Sequence, residues 1–256
     1  MIFTPSDWQD YELVDTGDGE KLERWGKSIV ARPEPRIIWE KGNPDVWKIK
    51  GELAEQIIGY KKLKFRVKKT KFGHTGVFPE QAVNWDWIPG AEKILNLFAY
   101  TGGATLAAAP AGAHVTHVDA SRPAMSWAAE NAKLSGVSNI RWICDDVMKF
   151  VNREIRRGTK YDGIMMDPPR FGRGASGEVW KIENHLPKLV KACAQLLSPT
   201  PTFFLINAYT ADLSHTAIGN LLSGVLEKEV ESGELGLKES SAGRILPAGI
   251  FARWKS

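Results

Sequence analysis

The sequence predicts an α/β fold, in which helices connect the strands of a mainly parallel β-sheet, preceded by a small β-rich N-terminal module. From residue 94 onward, short apolar runs alternate with helix-patterned stretches, which is the pattern of βαβ units. Residues 1 to about 88 lack any long helix pattern, and Gly, Pro and Trp interrupt short alternating runs there. With 256 residues, the chain is long enough for one full α/β domain and a smaller accessory module.

The apolar runs predict a series of strands at residues 94–98, 114–119, 140–144, 161–167 and 202–208. The helix pattern of residues 122–136 begins after Ser121, with Pro123 in its first turn, and ends at Gly136. Further helices are predicted at 185–199 and 217–232. The strand-like residues 234–240 and 244–256 then predict a terminal antiparallel hairpin.

The composition is that of an ordinary globular protein and argues against disulfide-rich, zinc-binding, secreted and membrane-spanning proteins. Lys and Arg number 34 against 30 Asp and Glu, and the net charge of +4 permits a nucleic-acid partner without arguing for one. Cys144 and Cys193 cannot build a disulfide framework and lack the spacing of a zinc site, so no metal is expected. The N-terminus lacks a signal-peptide pattern and no apolar run approaches membrane-spanning length, so we expect a cytoplasmic protein with no membrane partner.

The first third of the chain is rich in tryptophan and contains a basic strand. Six of the ten tryptophans precede residue 88, which indicates either a small core built from bulky residues or a surface on which bases stack. Apolar and basic residues alternate at 62–68, so one face of this strand is apolar and the other basic. Lys62, Lys64 and Arg66 are therefore candidates for RNA phosphate contacts, and a lysine-protected edge strand is the alternative.

A glycine turn follows the first predicted strand of the sheet. Thr101 and Gly102 would let a ligand approach the backbone, although any tight strand-to-helix turn has a similar sequence, and neither a Walker loop nor a Gly-x-Gly-x-x-Gly turn is present. Asp119 ends the next strand, about 20 residues further on, where a carboxylate in such folds accepts hydrogen bonds from a ribose. Capping of the following helix, by Asp119 or by Ser121, is the alternative.

Acidic residues also end the third and fourth predicted strands. Asp146, followed by the apolar Val147, is the first candidate for binding an adenine amino group, with Asp145 second and helix capping as the alternative. Asp167 precedes two prolines, the first being Pro168, which fix the strand end and pre-organise acceptors for a substrate N–H or O–H. Because open parallel sheets bind ligands beyond the carboxyl ends of their strands, these acids predict one shared crevice.

These features in this order resemble the class I S-adenosylmethionine-dependent methyltransferases, and more narrowly the bacterial branch that methylates bases of 23S ribosomal RNA. The resemblance lies in "LNLFAYTGG", "VTHVDASRPAMSWAAENAKLSG", "CDDVMKF" and "YDGIMMDPPRFGRG", within about residues 71–210. It implies a Rossmann-like, seven-stranded sheet of order 3-2-1-4-5-7-6 whose last strand is antiparallel. We expect a methyltransferase domain at residues 71–256 after a β-rich N-terminal module at residues 1–70, which does not resemble the RNA-binding module that precedes the catalytic domain in several relatives.

The resemblance implies S-adenosylmethionine as the cofactor and assigns roles to the strand-end residues. Asp119 would hold the ribose and Asp146 the adenine, while Asp167 and Pro168 would face the methyl acceptor as catalytic residues. The segment "GHTGVFPEQ" resembles one that covers the cofactor in this branch. The residues expected to bind the cofactor are therefore Phe78, Gln81, Phe98, Tyr100, Thr101, Gly102, Asp119, Ala120, Asp145, Asp146 and Val147.

The sequence departs from the relatives that methylate carbon 5 of cytosine. In those relatives a cysteine after the fifth strand attacks the ring, whereas this chain has Asn207, Ala208 and Tyr209 there. A nitrogen or oxygen of an RNA base, from ribosomal RNA, is therefore the expected acceptor. A methyltransferase acting on a small molecule or a protein is the alternative. A cofactor-binding RNA module without catalysis also stays open, and the missing dinucleotide turn disfavours a nicotinamide-dependent oxidoreductase.

The stretch after Asp167 predicts a mobile loop over the acceptor site, with Gly172, Gly174 and Gly177 as its flexible positions. Arg170 and Arg173 are candidates for gripping a phosphate. Trp180 would either stack on a planar substrate or pack against the domain. His74 would act as a general base or simply occupy a structural turn. The sequence leaves the oligomeric state open.

Overall fold

The chain divides into two compact units. The computed structural model describes residues 1–70, 73–109, 112–173, 179–209 and 212–256, and of residue 173 only the backbone. One unit, here called the sheet unit, comprises Met1, Asn84–Glu234 and Gly249–Ser256. The other, called the N-terminal unit, comprises Ile2–Val83 and Leu235–Ala248.

The N-terminal unit contains antiparallel strands, which confirms the β-rich module. Its elements are β1 (Ile2–Phe3), β2 (Tyr11–Gly17), β3 (Glu20–Trp25), β4 (Ser28–Pro33), β5 (Gln56–Tyr60), β6 (Leu63–Val67) and the 3-10 helices Pro44–Ile49 and Pro79–Gln81. β2, β3 and β4 form a three-stranded sheet, and β5 pairs with β6. Trp25 and Trp47 are buried, so these two tryptophans build the core of the unit and do not offer a stacking surface.

The strands and helices predicted from residue 94 onward belong to the sheet unit, except for Leu235–Ala248, which includes parts of the last two strands and belongs to the N-terminal unit. The strands are β7 (Lys93–Leu97), β8 (His114–Asp119), β9 (Ile140–Cys144), β10 (Gly163–Met166), β11 (Phe171–Arg173), β12 (Val179–Lys181), β13 (Phe203–Ala208), β14 (Glu231–Lys238) and β15 (Ile245–Lys255). The helices are α1 (Ala82–Trp87), α2 (Gly103–Ala108), α3 (Arg122–Ser135), α4 (Val147–Arg157), α5 (Ile182–Ala194) and α6 (His215–Leu226). α3 begins and ends as predicted, with the Ser121 hydroxyl accepting from the Ala124 N–H and Gly136 in the left-handed conformation.

The large sheet has the order β1-β14-β15-β13-β10-β7-β8-β9. β7 lies between β10 and β8, and the pairs among β13, β10, β7, β8 and β9 are all parallel, whereas β15 runs antiparallel to β13. The fold class, a mainly parallel α/β sheet, is therefore confirmed. The described sheet has eight strands where seven were expected, because the short β1 is added next to β14.

One continuous apolar core holds the sheet and its helices together. Leu95, Ile164 and Phe204 supply it from neighbouring strands, and Phe150 and Leu189 supply it from α4 and α5. All five side chains have no solvent-accessible surface, and fully burying a side chain of this size contributes about 1.5–3 kcal/mol. This core fixes the strand ends on which the candidate site is built.

Several element boundaries differ from the sequence prediction, and the helix expected at 185–199 spans Ile182–Ala194. The helix expected at 217–232 ends at Leu226, because Glu227 adopts a left-handed conformation (φ 54°) and β14 begins at Glu231. The loop expected around Trp180 is instead β12, which pairs antiparallel with β11, and α5 begins directly after it at Ile182. In these segments, strand pairing and the burial of Ile182 outweigh the helix and loop propensities of the local sequence.

Among the helices that the structure describes, none combines the length and the apolar composition needed to cross a membrane.

Candidate active site at the carboxyl edge of the sheet

The carboxyl ends of four neighbouring parallel strands bring most of the predicted site residues to one edge of the sheet unit. The turn after β7 carries residues 98–102, β8 ends at Asp119, β9 is followed by Asp145 and Asp146, and β10 is followed by Asp167. Because β9, β8, β7 and β10 are consecutive in the sheet, these positions share one edge. The crevice predicted from the strand-end acids therefore has a structural basis in the sheet order.

The turn after β7 has an unusual backbone. Phe98 and Tyr100 have φ angles of 54° and 48°, and Gly102 has a φ of 89°. Positive φ is rare for aromatic residues and costs on the order of 1–3 kcal/mol, so the surrounding structure must impose it. A Cβ atom at Gly102 would lie 3.3 Å from the Cβ of Ala128, a tight contact, and the positive φ would strain any residue with a side chain. The glycine turn at Gly102 was predicted from the sequence, whereas the positive φ angles of Phe98 and Tyr100 were not.

Asp119 fixes this turn through both of its carboxylate oxygens. The backbone N–H of Tyr100 donates to Oδ2 at 2.8 Å, and the backbone N–H of Ser121 donates to Oδ1 at 2.8 Å. Burial raises the pKa of Asp119, and these two hydrogen bonds oppose the rise. Ser121 caps α3, so Asp119 does not cap that helix.

A buried hydrogen-bonded chain lies beneath the turn and was not foreseen from the sequence. The amide of Asn96 donates to the hydroxyl of Thr105 at 2.8 Å, and this hydroxyl lies 2.9 Å from Nδ1 of His117. A hydroxyl can accept two hydrogen bonds and donate one, so Thr105 either donates to Nδ1 or accepts from it, according to the tautomer of the ring. Burial lowers the pKa of His117 to about 3, and the Tyr100 backbone opposes this shift only in part.

The residues after β9 have bonding partners of their own. Asp145 forms an ion pair with Arg153 at 2.8 Å, and Asp146 caps α4 by accepting from the Lys149 N–H at 2.9 Å. The capping role considered for Asp146 is therefore present, and it uses Oδ1. Val147 is buried at the start of α4. Ala120, after β8, is exposed. That Asp145 and Asp146 bind the adenine, and that Val147 and Ala120 contact the cofactor, stay predictions.

The end of β10 is tied to the neighbouring strand and to the β11–β12 ribbon. The N–H of Asp167 donates to the carbonyl of Leu97 at 3.2 Å, and Pro168 is buried. The indole N–H of Trp180 donates to the carbonyl of Pro169 at 2.7 Å, and the Trp180 ring lies 5.1 Å from the ring of Phe98. Trp180 thus packs within the unit and connects the segment after β10 to the turn after β7.

The basic residues predicted to contact substrate differ in their surroundings. Arg170 is exposed and pairs with Asp212. In the N-terminal unit, Lys62 and Lys64 are exposed, while Arg66 pairs with Glu55 at 2.6 Å. The side chain of Arg173 and the residues Gly174 and Gly177 lie outside the described part of the chain.

Phe78, Gln81 and His74 belong to the N-terminal unit. Gln81 is buried at the end of the 3-10 helix Pro79–Gln81, and the rings of His74 and Phe78 lie 5.6 Å apart. Burial, followed by the charges of Arg32 and Lys21, lowers the pKa of His74. That Phe78 and Gln81 cover a cofactor stays a prediction. Within the described ranges, His, Cys, Asp and Glu side chains form no cluster of three that could hold a metal ion.

Comparison with known proteins shows which family the chain belongs to. The sequence model of a family described as S-adenosylmethionine-dependent methyltransferase matches residues 31–235. The chain belongs to this family. An S-adenosylmethionine-dependent methyltransferase of known structure from Agrobacterium tumefaciens is 40% identical, with a TM-score of 0.94 over 100% of this chain and 93% of that chain.

Relatives of this methyltransferase include proteins named for ribosomal RNA. Ribosomal RNA large subunit methyltransferase K/L of Shewanella frigidimarina is 31% identical over 175 residues, which are 66% of this chain and 24% of that protein. Ribosomal RNA large subunit methyltransferase I of Aeromonas salmonicida is 39% identical over 106 residues, 39% of this chain and 27% of that protein. The matched regions thus span about a quarter of the length of these relatives.

The residues at the carboxyl edge fit S-adenosylmethionine, the cofactor of this family. Each oxygen of Asp119 already accepts one backbone N–H, and a carboxylate has about four acceptor positions, so each oxygen can accept one more hydrogen bond from a ribose hydroxyl. Gly102 supplies the left-handed conformation of the turn after β7, which residues with a side chain rarely adopt. The cofactor supplies an activated methyl group, and the protein has to align an acceptor with it and exclude water.

Proposed function

We propose that this methyltransferase transfers the methyl group of S-adenosylmethionine to a nitrogen or oxygen of a base in RNA, specifically ribosomal RNA. The observation that carries the acceptor type is the end of β13, where this chain has Asn207, Ala208 and Tyr209 and lacks the cysteine that carbon-5 enzymes carry after their fifth strand. Cys193 lies fully buried within α5, where burial raises the pKa of its thiol, and Cys144 ends β9 at the far side of the sheet. Neither cysteine is placed to attack a base next to Asp167.

The RNA substrate is supported by the names of the relatives and by the distribution of cations. Both relatives described above are named as ribosomal RNA large subunit methyltransferases. Exposed Lys62 and Lys64 on β6 and Arg170 after β10 offer contacts for phosphate groups. A cytoplasmic location follows from this substrate. The division into an RNA-contacting module at residues 1–70 and a methyltransferase domain at 71–256 remains part of this proposal.

Asp167 and Pro168 are the proposed catalytic residues, with Asp167 accepting a proton or hydrogen bond from the acceptor atom. Asp167→Asn should leave S-adenosylhomocysteine affinity within about twofold in calorimetry and reduce methyl transfer to RNA by about 100-fold or more. The matched control is Asp162→Asn, at the opposite end of β10, where the carboxylate accepts from the Lys93 N–H at 3.0 Å. Transfer by Asp167→Asn at the control rate would refute the assignment.

A methyltransferase for a small molecule or a protein is the competing proposal. Salt separates it from the RNA proposal, because phosphate contacts release counterions and small-molecule binding does not. The affinity for RNA should fall steeply between 50 and 200 mM salt, about 10-fold or more for every two to three phosphates contacted. An affinity for the methyl acceptor that is independent of salt would favour the competing proposal.

A further inference from the structure

Asn207 occupies a position in the sheet unit that faces the same edge as Asp167. β10 and β13 are parallel neighbours, and their last paired positions are Met166 and Ile206. Asp167 and Asn207 are each one residue further, so their side chains project from the same face of adjacent strands, whose backbones lie about 4.8 Å apart. Any acceptor group held by Asp167 therefore lies close to Asn207.

The orientation of the Asn207 amide follows from a chain of hydrogen bonds within the sheet unit. Arg253, anchored to Glu231 at 2.6 Å, donates to Oδ1 of Asn84 at 3.1 Å. Asn84 then donates through Nδ2 to Oδ1 of Asn207 at 3.3 Å. A guanidinium group can only donate, so Arg253 sets which end of the Asn84 amide is the oxygen, and Asn84 in turn sets the orientation of Asn207. Asn207 is left with its N–H₂ group as the open end of the chain.

The Nδ2 atom of Asn207 is buried and makes no hydrogen bond with any part of the chain that the structure describes. The whole side chain is also buried, with 3% of the residue exposed. A buried donor without a partner costs about 1–3 kcal/mol, and such a cost is tolerated where a ligand supplies the missing acceptor. Because Asn207 lies beside Asp167, the proposed catalytic residue, the methyl acceptor is the ligand to consider.

We propose that Asn207 donates a hydrogen bond to a carbonyl oxygen of the acceptor base, so that the base is guanine or uracil. This inference rests on the proposed function, since it names the base that the RNA would present. Guanine and uracil each carry a ring N–H next to a carbonyl group, which pairs with the acceptor Asp167 and the donor Asn207. Adenine and cytosine lack a ring N–H, so they match only part of this pattern. Because Asn207 Nδ2 is covered in the structure, the proposal requires the side chains around it to move when the base binds.

The same donor assists the chemistry. As the ring nitrogen gives its proton to Asp167, negative charge spreads onto the neighbouring carbonyl oxygen, where the Asn207 N–H stabilises it. The lone pair of that nitrogen then forms the N–CH₃ bond, while the electron pair of the S–CH₃ bond passes to sulfur. The products are an N-methylated base, the neutral thioether S-adenosylhomocysteine and one proton, which Asp167 later releases to solvent. Asn84 and Arg253 are positioning residues in this scheme.

The side-chain amide signal of Asn207 gives a direct test. Protein labelled with ¹⁵N-asparagine and saturated with S-adenosylhomocysteine is titrated with guanosine, uridine, adenosine or 2-aminopurine riboside, which lacks the guanine carbonyl. The Asn207 signal is identified by its absence in Asn207→Ala or, should that variant not fold, in Asn207→Ser. We expect guanosine or uridine to shift this signal, with adenosine and 2-aminopurine riboside leaving it unchanged, while exposed Asn139 at the opposite edge of the sheet responds to none.

An Asn207 signal that ignores both guanosine and uridine, or that responds equally to adenosine, would overturn the inference. The affinity preference for guanosine or uridine over adenosine should also fall by about tenfold in the variant, the value of one hydrogen bond of about 1.4 kcal/mol. These readouts use nucleosides and need no methyl transfer. Failure of the proposed function would instead appear as cofactor binding without transfer to any RNA.

Discussion

Asp119 links three parts of the carboxyl edge through one carboxylate. It ends β8, holds the Tyr100 backbone of the turn after β7, and accepts from Ser121 at the start of α3. The spacing of Asp119 from the glycine turn was enough to predict that it ends β8 at the same edge of the sheet as that turn. This is possible because strand lengths and strand direction follow from local sequence patterns. The positive φ angles of Phe98 and Tyr100 were not predictable, since local sterics disfavour them and tertiary contacts impose them.

Asp119→Asn tests the ribose assignment. In the wild type, each carboxylate oxygen of Asp119 accepts a hydrogen bond from a backbone N–H. The variant replaces one of these oxygens by an N–H₂ group, which cannot accept. One hydrogen bond to the backbone and one acceptor for the ribose are therefore lost. The dissociation constant for S-adenosylhomocysteine should rise by about tenfold or more in calorimetry, with Asp162→Asn unchanged. Because the pKa of Asp119 is raised, wild-type affinity should begin to fall at a higher pH than for an ordinary aspartate, and this pH dependence should vanish in Asp119→Asn. Unchanged affinity in the variant would remove Asp119 from the site.

His117 makes a separate prediction about stability and pH. Its pKa is about 3 in the folded chain and about 6.5 when unfolded, so between these values only the unfolded chain takes up the proton. The free energy of unfolding should therefore fall as the pH is lowered from about 6.5 towards 3, by up to ~1.4 kcal/mol per pH unit from this residue.

Urea unfolding of the variant His117→Asn measures this contribution. Asn can still accept from Thr105 through its oxygen but does not titrate, so the pH dependence should be flatter than in the wild type. His114→Asn, on the exposed first residue of the same strand, serves as the control and should keep the wild-type slope. Equal slopes for wild type and His117→Asn would show that His117 does not hold its neutral form.

At the scale of elements, the β11–β12 ribbon is the least expected feature of the candidate site. Trp180 reaches from β12 to the Pro169 carbonyl and to the Phe98 ring. Trp180→Phe keeps an aromatic ring against Phe98 and removes the indole N–H, a loss of about 1 kcal/mol. We expect kcat for methyl transfer to fall several-fold while S-adenosylhomocysteine affinity stays within twofold.

Val179→Ala, on the exposed neighbouring residue of β12, should keep the wild-type kcat and is the control for this ribbon. If Trp180→Phe also keeps the wild-type kcat, the link between the ribbon and the segment after β10 has no part in transfer. If it loses cofactor affinity as strongly as kcat, its role lies in the turn after β7.

The elements differ in how well the sequence predicts them, for physical reasons. α3 carries its own start and stop signals in Ser121 and Gly136, so its bounds were predictable. β11 and β12 are three residues each and become strands only by pairing with each other, which no local pattern records. α6 ends at Leu226 because β14 enters the sheet soon after it. The role of Asn207 was not predictable, because Asn84 and Arg253, which orient its amide, are distant in sequence.

In the whole molecule, the two units carry different predicted site residues. The sheet unit contains the turn after β7, the strand-end acids and Asn207. The N-terminal unit contributes the alternating β6, whose Leu63, Phe65 and Val67 are buried while Lys62 and Lys64 are exposed. The sequence predicted this alternation because strand side chains have a period of two.

The central claim is that this methyltransferase modifies a nitrogen or oxygen of an RNA base. The most direct test incubates the purified chain and isotopically labelled S-adenosylmethionine with the RNA, protein and metabolite fractions of a strain that lacks its gene. The labelled RNA is then digested to nucleosides and analysed by mass spectrometry. The account predicts label in the RNA fraction, in an N- or O-methylated nucleoside, with no label in 5-methylcytidine. Label confined to the protein or metabolite fraction, or found in 5-methylcytidine, would contradict it.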